Sequence, residues 1–327
     1  MPLLLTEADV KSILTMPMAL ELVETSFRRR AEGTAVCHPR RRLRMAVQGI
    51  MNYMAASDLM GGYMGLKIYT VSPNGLRFLV PLFSARSGEM CALIEADYLG
   101  QLRTGAASGV ATRVMARADA RTVGIIGTGL QARTQLEAVA LARKLEIIRA
   151  FGRDAAKRER FAKEMTAKLD VPTVAVSSAE KAVRESEIVI TATTANKPVL
   201  ESSWLEPGMH INAIGSNFAE KQELGAQAVG RCDVLAVDSV EQSKIEAGDL
   251  IQAFGTDSSR WATVRELADI VAGKSPARTN QNQITLFKSN GIAIEDVVVG
   301  ARIYEIACEK GMGREIPMWQ EAASDQA

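Results

Sequence analysis

The chain has 327 residues, 47% hydrophobic and 24% charged, a balance that supports a sizeable core and, by length, about two domains. Its 39 lysines and arginines against 38 acids leave a net charge of +1, which excludes a global basic field for nucleic acid or an anionic membrane. No apolar run is long enough to span a bilayer, and the four cysteines (Cys37, Cys91, Cys232, Cys308) and two histidines (His38, His210) form no spaced cluster. Disulfide scaffolds, metal modules and histidine-based mechanisms are therefore not expected. The start, MPLLLTEADV, lacks a positive segment and meets Glu7 and Asp9, so a cytoplasmic location is expected rather than export.

Residues 6–32 read as one helical segment, capped by Thr6 with Asp9 three positions on, and with an apolar face through Ile13, Leu20, Val23 and Phe27. From about residue 40 to 93 the pattern changes to short apolar runs (65–71, 78–83, 91–94) cut by turns at Pro73-Asn74-Gly75 and Ser87-Gly88-Glu89. That is a strand-and-hairpin pattern, one antiparallel or mixed sheet. Residues 99–117 are small and helical (Gly105, Ala106, Ala107, Ser108, Ala111), so this helix is expected to pack closely on a neighbour. Strands and helices then alternate. Strands are expected at 123–126, 147–151, 173–176, 188–191, 209–214, 233–237 and 284–287, and helices at 131–143, 155–169, 179–186 and 222–229. This order predicts a doubly wound parallel sheet. Residues 275–283 read as a loop, and a final helix at 294–310 carries an apolar stripe able to return to the first domain.

Val123-Gly124-Ile125-Ile126-Gly127-Thr128-Gly129-Leu130-Gln131-Ala132 sets a GxGxxA between a strand and a helix. Gly127 allows the tight turn, Gly129 lets a pyrophosphate approach the backbone, and Ala132 keeps the helix close to the strand. The following strand ends at Gly152-Arg153-Asp154, where NAD sites usually carry an acid. Asp154 is placed to cap the next helix, leaving Arg153 near the ribose, which suits a 2′-phosphate. NADP(H) is the expected cofactor and NAD(H) the alternative; a merely solvated basic face on that helix stays open. The fold class is thus α/β, a Rossmann domain at 118–291 with a second α+β domain from 1–117 and 292–327.

In that second domain Arg40, Lys67 and Arg103 stand out. Lys67 lies mid-strand among apolar neighbours, where a lysine costs free energy unless it snorkels or meets an anion. Arg103 begins a helix whose dipole disfavours a cation there. Each alone reads as readily as a rim cation; together they suggest a site for a small carboxylate.

With these residues the sequence resembles the ornithine cyclodeaminase and mu-crystallin family. The matching pieces are Pro39-Arg40, Gly65-Leu66-Lys67, Leu102-Arg103-Thr104-Gly105-Ala106-Ala107, the GTGLQA turn, Pro207-Gly208-Met209-His210-Ile211-Asn212-Ala213-Ile214-Gly215-Ser216, Lys221-Gln222-Glu223-Leu224, and Ile284-Thr285-Leu286-Phe287-Lys288-Ser289-Asn290-Gly291. The resemblance implies a homodimer made through the first domain and the returning last helix. It implies that Arg40, Lys67 and Arg103 hold the substrate carboxylate, with Asn290 bordering the substrate. It also implies a dinucleotide lined by Arg77, Phe78, Arg103, Thr104, Gly127, Thr128, Gly129, Leu130, Gln131, Arg153, Thr193, Thr194, Ile214, Gly215, Ser216, Lys221 and Ser289, with no metal.

One departure bears on the reaction. Asn217 stands where cyclodeaminases carry an aspartate, and Asn52 falls near the position of a family glutamate. An amide cannot exchange the proton that the aspartate is thought to transfer. With Lys67 and Arg103, Asn217 is expected at the reacting centre of an NAD(P)H-dependent reductase of small 2-imino acids, the reverse of amino-acid dehydrogenation. A cyclodeaminase releasing ammonia is the runner-up, and a non-catalytic nucleotide-binding protein is a third reading. His210 is read as a structural strand-end residue.

Overall fold

The computed structural model describes residues 1–46, 48–73, 75–215 and 217–318, and the chain divides into two compact units. The first comprises residues 1–15, 33–100 and 293–327, and the second residues 16–32 and 101–292.

The first unit holds an eight-stranded sheet. Its strands are β1 (Leu3–Leu5), β2 (Ala35–Cys37), β3 (Arg41–Arg44), β4 (Ile50–Asp58), β5 (Tyr63–Ser72), β6 (Gly75–Ser84), β7 (Met90–Glu95) and a terminal Arg314–Glu315. The order runs Arg314–Glu315, β1, β7, β6, β5, β4, β2, with β3 also on β4. β4 through β7 form an antiparallel meander, as the hairpin pattern predicts; Asn74 of the first turn lies outside the described residues. Burial alternates along β4 and β5, so Asn52, Met54, Lys67 and Tyr69 share the inner face, Asn52 opposite Tyr69 and Met54 opposite Lys67. The C-terminal helix Ala293–Lys310 packs on β4, β5 and β6. Gly65 permits the approach, since a Cβ there would stand 3.4 Å from Val297 Cγ2 and 2.6 Å from the Pro81 carbonyl oxygen.

The single helix expected over residues 6–32 is two. α1 (Glu7–Ile13) carries the capping box: Thr6 accepts from the Asp9 N–H and the Asp9 carboxylate accepts from the Thr6 N–H. Leu14 then turns extended (φ −84°, ψ 125°), and α2 (Met16–Ala31) restarts with Pro17 in its first turn, the one helical place where a missing N–H costs nothing.

α2 belongs to the second unit with α3 (Asp97–Met115), whose first turn lies in the first unit. There Gly105 and Gly109 give the small-residue helix its neighbour: Cβ atoms would meet Thr134 O at 2.4 Å and Leu20 Cδ2 at 2.5 Å. The second sheet consists of β8 (Thr122–Ile126), β9 (Ile147–Phe151), β10 (Thr173–Ala175), β11 (Ile188–Thr191), β12 (His210–Ala213), β13 (Val234–Val237), β14 (Arg265–Glu266) and β15 (Thr285–Lys288). All pairs are parallel, in the order β10-β9-β8-β11-β12-β15-β13-β14. α4 (Leu130–Ala142) and α5 (Ala155–Leu169) are among its helices, and separate apolar clusters pack around Ile125, Leu136 and Phe161 and around Ile211, Leu235 and Leu286. This is the doubly wound arrangement, with the topological switch beside β8. Residues 240–271, passed over by the periodicity, contain four short helices, including Val240–Glu246 and Gly248–Phe254.

Candidate active site

The dinucleotide cradle begins where β8, fully apolar in its last residues, runs into Gly127. Gly127 has φ +120°, and a Cβ there would stand 2.3 Å from the Ala192 carbonyl oxygen. Gly129 is the N-cap of α4 with no side-chain cap, and a Cβ on it would meet nothing. The open side of Gly129 and the uncapped N–H groups behind it suit an incoming pyrophosphate. Leu130 is exposed at the mouth, Ala132 is fully buried, and Arg133 steadies the loop by donating to the carbonyls of Thr128 (3.2 Å) and Gly129 (2.9 Å).

At the end of β9, Gly152 presses on Thr128, where a Cβ would stand 2.7 Å from Oγ1. Asp154 caps α5, accepting from the Lys157 N–H at 2.9 Å, and this bond holds its carboxyl below the usual range. No acid is left at the strand end. Arg153 is exposed, while Arg158 folds back to donate to Gly152 O at 2.8 Å.

Beyond the switch, Thr193 and Thr194 follow β11, and Ile214 and Gly215 follow β12; Ser216 lies outside the described residues. Asn217 is half-buried on the same loop, and Lys221 lies over the Phe218 ring at 5.0 Å. Ser289, Asn290 and Gly291 are pinned by Asp238: its Oδ2 accepts from the Ser289 hydroxyl (3.1 Å) and the N–H groups of Asn290 (2.7 Å) and Gly291 (2.5 Å). Asn290 Nδ2 donates to Ser243 at 3.0 Å. Arg103, 5% exposed, lies flat on Gly291: a Cβ there would be 2.5 Å from Nη1, and φ is +75°. Thr104 offers its carbonyl to Gln135 Nε2 at 3.1 Å. Gln131 begins α4 half-buried. His210 is fully buried between Thr285 (2.9 Å) and Asn212 (3.3 Å), and burial pushes it down to about 3, so it is a neutral structural group.

The first unit gathers the other cations. Lys67, 2% exposed, pairs at 2.7 Å with Asp296, itself fully buried on the first turn of the C-terminal helix. The Lys67 ammonium also stands 5.2 Å from the Phe78 ring centroid, and Phe78 stacks on Tyr69 at 4.8 Å. Arg40, 4% exposed, contacts Met54 Sδ at 3.7 Å and lies 6.0 Å over Tyr69. Gly100 leaves room for the amine, since a Cβ would come within 3.2 Å of Lys67 Nζ. Arg40, Lys67 and Phe78 are thus brought together, whereas Arg77, on the same strand, is exposed and donates to Leu76 O at 2.7 Å. Arg103, Asn217 and Asn290 belong to the second unit.

Sequence reading missed the acids that hold these groups, Asp296 and Asp238. Asp238 ends the apolar run Leu235-Ala236-Val237 and Asp296 stands with Glu295 between Ile294 and Val297, so both acids adjoin apolar residues. It also left Asn52 without a role. Asn52 is 1% exposed on the inner face, and neither its amide nitrogen nor its oxygen has a hydrogen-bond partner. A buried amide with both ends unmet is costly and points to a ligand or water.

A glycine cradle at the switch of a doubly wound sheet, in a chain whose other unit holds buried cations, defines a dinucleotide-dependent oxidoreductase class. Residues 1–311 match the ornithine cyclodeaminase/mu-crystallin family, and the chain belongs to that family. It is 37% identical over 261 residues to a Bacillus cereus Delta(1)-pyrroline-2-carboxylate reductase, covering 77% of this chain and 80% of the relative. Among solved structures it resembles the Thermococcus litoralis Delta(1)-pyrroline-2-carboxylate reductase in complex with NADH and L-proline, with TM-score 0.91, 35% identity, and 96% and 100% of the two chains covered. An archaeal alanine dehydrogenase dimer with bound NAD matches with TM-score 0.88, 32% identity, and coverage of 97% and 99%.

Proposed function

We propose that the protein is an NAD(P)H-dependent reductase of small 2-imino acids, cyclic as in 1-pyrroline-2-carboxylate or acyclic, and in reverse an amino-acid dehydrogenase. The observation that carries this is the burial of Arg40 and Lys67 on one face of the first-unit sheet, walled by Met54, Tyr69 and Phe78. A cation withdrawn from water attracts a small carboxylate more strongly than an exposed one, because less solvent screens the charges. Similarity to the two pyrroline-2-carboxylate reductases supports the substrate class.

When bound, the nicotinamide supplies the hydride. Arg40, Lys67 and Arg103 are the proposed carboxylate partners, and with Asn217 and Asn290 they orient the C=N carbon toward the cofactor. The reduction needs one proton at nitrogen for each hydride at carbon. Lys67, paired with Asp296, is the proposed source, its proton being restored after each turnover. Asn217 orients the imine through its amide hydrogen bonds and has no titratable proton to transfer, which favours reduction over the deaminating cyclisation. The cofactor residues are proposed as in the sequence reading, with Arg77 and Phe78 supplied from the first unit. Arg153 is proposed to favour NADP(H), NAD(H) remaining a usable alternative.

Residues 1–117 and 292–327 are proposed to serve substrate binding and dimerisation, and 118–291 the cofactor. A homodimer is supported by the outward face of β4, β5 and β6, where Ala55, Met64, Leu66 and Phe83 line an apolar hollow of about 500 Å³. No helix among the described residues is long and apolar enough to cross a membrane, and the four cysteines lie far apart in sequence with no CxxC pair; a cytoplasmic location is proposed on that composition.

Steady-state reduction of 1-pyrroline-2-carboxylate tests the reading. Lys67→Ala should lower kcat/KM by roughly 2 to 5 kcal/mol equivalent, because a desolvated anion loses its partner. Unchanged kcat/KM in that variant would refute the assignment.

A further inference from the structure

Four donors converge on the carboxylate of Glu223. Oε1 accepts from the Thr193 N–H at 2.6 Å and the Thr193 hydroxyl at 2.7 Å; Oε2 accepts from the Gly215 N–H at 2.7 Å and the Thr191 hydroxyl at 2.8 Å. Thr191 ends β11, Thr193 lies just beyond it, and Gly215 follows the neighbouring β12, so one side chain ties the carboxyl ends of two parallel strands together. Glu223 is itself held in place. Its own N–H and that of Leu224 donate to Asp249 Oδ1 at 2.6 and 2.8 Å, and the other Asp249 oxygen pairs with Lys288 Nζ at 3.1 Å. Glu223, Asp249 and Lys288 are all fully buried.

Three ionisable groups without solvent are a poor way to obtain stability, because apolar packing of the same volume does as well or better. Their location gives them another use. In a doubly wound sheet the dinucleotide lies across the carboxyl ends of the strands, with the pyrophosphate at the glycine turn. Here β9 lies on one side of β8, where the adenosine half would rest, and β11 and β12 lie on the other, where the nicotinamide half would rest. Gly215 fits this close role: a Cβ would stand 2.3 Å from Thr193 O and 2.4 Å from Glu223 Oε1.

We propose that Glu223, braced by Asp249 and Lys288, is a positioning residue that sets the spacing of the Thr193 and Gly215 backbones on which the nicotinamide half of the cofactor rests. The proposal rests on the dinucleotide part of the functional reading and is independent of which imine is reduced. Each carboxylate oxygen receives one backbone N–H that cannot turn away. An amide in place of the acid would therefore aim its NH₂ at Thr193 N–H or at Gly215 N–H, donor against donor, and push one strand end out of place.

The test is calorimetric titration of the full-length protein and its Glu223→Gln variant with two probes each. NADPH and NADH report the whole cofactor; adenosine 2′,5′-bisphosphate and AMP report the adenosine half alone. The variant should bind the dinucleotide about tenfold more weakly, as a misplaced shelf costs orientation, and the half-cofactor with less than about a twofold change. If Glu223→Gln does not fold, Thr191→Val removes one hydroxyl donor while keeping the shape. It should reproduce the same selective loss at about threefold, one of four bonds being gone. Equal loss on both probes would make Glu223 a general scaffold residue and overturn the proposal, as would no loss on either or failure of the unmodified protein to bind any probe. Binding with normal discrimination but no imine turnover would instead refute the proposed reaction alone.

Discussion

Lys67 and Asp296 meet at 2.7 Å although 229 residues separate them, and the pair is closed to solvent, with side-chain exposures of 2% and 0%. The contact joins the centre of β5 to the first turn of the C-terminal helix, where an acid is also favoured by the helix dipole. It gives a lysine on the inner face of a sheet an acidic partner.

Removing the acid alone should therefore be severe. Asp296→Asn leaves a buried ammonium without its counter-ion and is expected to lower stability by about 3 to 5 kcal/mol. Lys67→Met combined with Asp296→Leu should recover most of that loss while remaining inactive. Chemical denaturation of the three proteins reads this directly, and a double variant no more stable than Asp296→Asn would contradict it.

Cofactor choice is expected to turn on Arg153. Its guanidinium is exposed at the end of β9, and the adjacent acid, Asp154, is committed to its helix cap. Arg153→Ala should raise the KM for NADPH by about tenfold, the worth of a charge-assisted bond, with little change for NADH. Equal effects on the two cofactors would remove Arg153 from the 2′-phosphate site.

The pH dependence of stability should carry the mark of His210. Burial lowers its pKa to about 3 from 6.5, so between these values the unfolded chain binds the extra proton. Its contribution is complete above pH 6.5 and is lost as the pH falls towards 3, at up to about 1.4 kcal/mol per pH unit. His210→Asn should flatten the denaturation profile over that window. A profile parallel to the parent's would show that His210 is protonated in the folded state.

In solution the mass by light scattering should be near twice 35.3 kDa at micromolar concentration. Leu66→Glu, placing a charge in the apolar hollow on the outward face, should shift it to the monomer. A monomeric parent would refute the dimer.

Much of the second unit was legible in the sequence because its signals are local. The glycine turn after β8 and the Asp154 cap of α5 each need only neighbouring residues, and β9 and α5 occupy the expected positions. The small residues of α3 announced a close neighbour without saying which. β4 was missed because Asn52, Ala55, Ala56, Ser57 and Asp58 have little strand propensity, and the strand is fixed by its pairing with β5. The break between α1 and α2 was hidden by an apolar period that continues across it, with Pro17 the only local mark. Of the site, the cations were visible as anomalies, but their partners were not. Asp296 and Asp238 acquire their roles through contacts across 229 and about 50 residues, and periodicity carries no information at that range.

Whether the chain reduces an imine or expels ammonia is decided by a single paired assay. The unmodified protein is incubated with 1-pyrroline-2-carboxylate and NAD(P)H, and separately with ornithine and NAD, while oxidation of the reduced cofactor and release of ammonia are followed. Cofactor oxidation with stoichiometric proline in the first mixture, and no ammonia in the second, is the predicted result. Ammonia release from ornithine with stoichiometric proline, and no imine reduction, would contradict it and make the protein a cyclodeaminase.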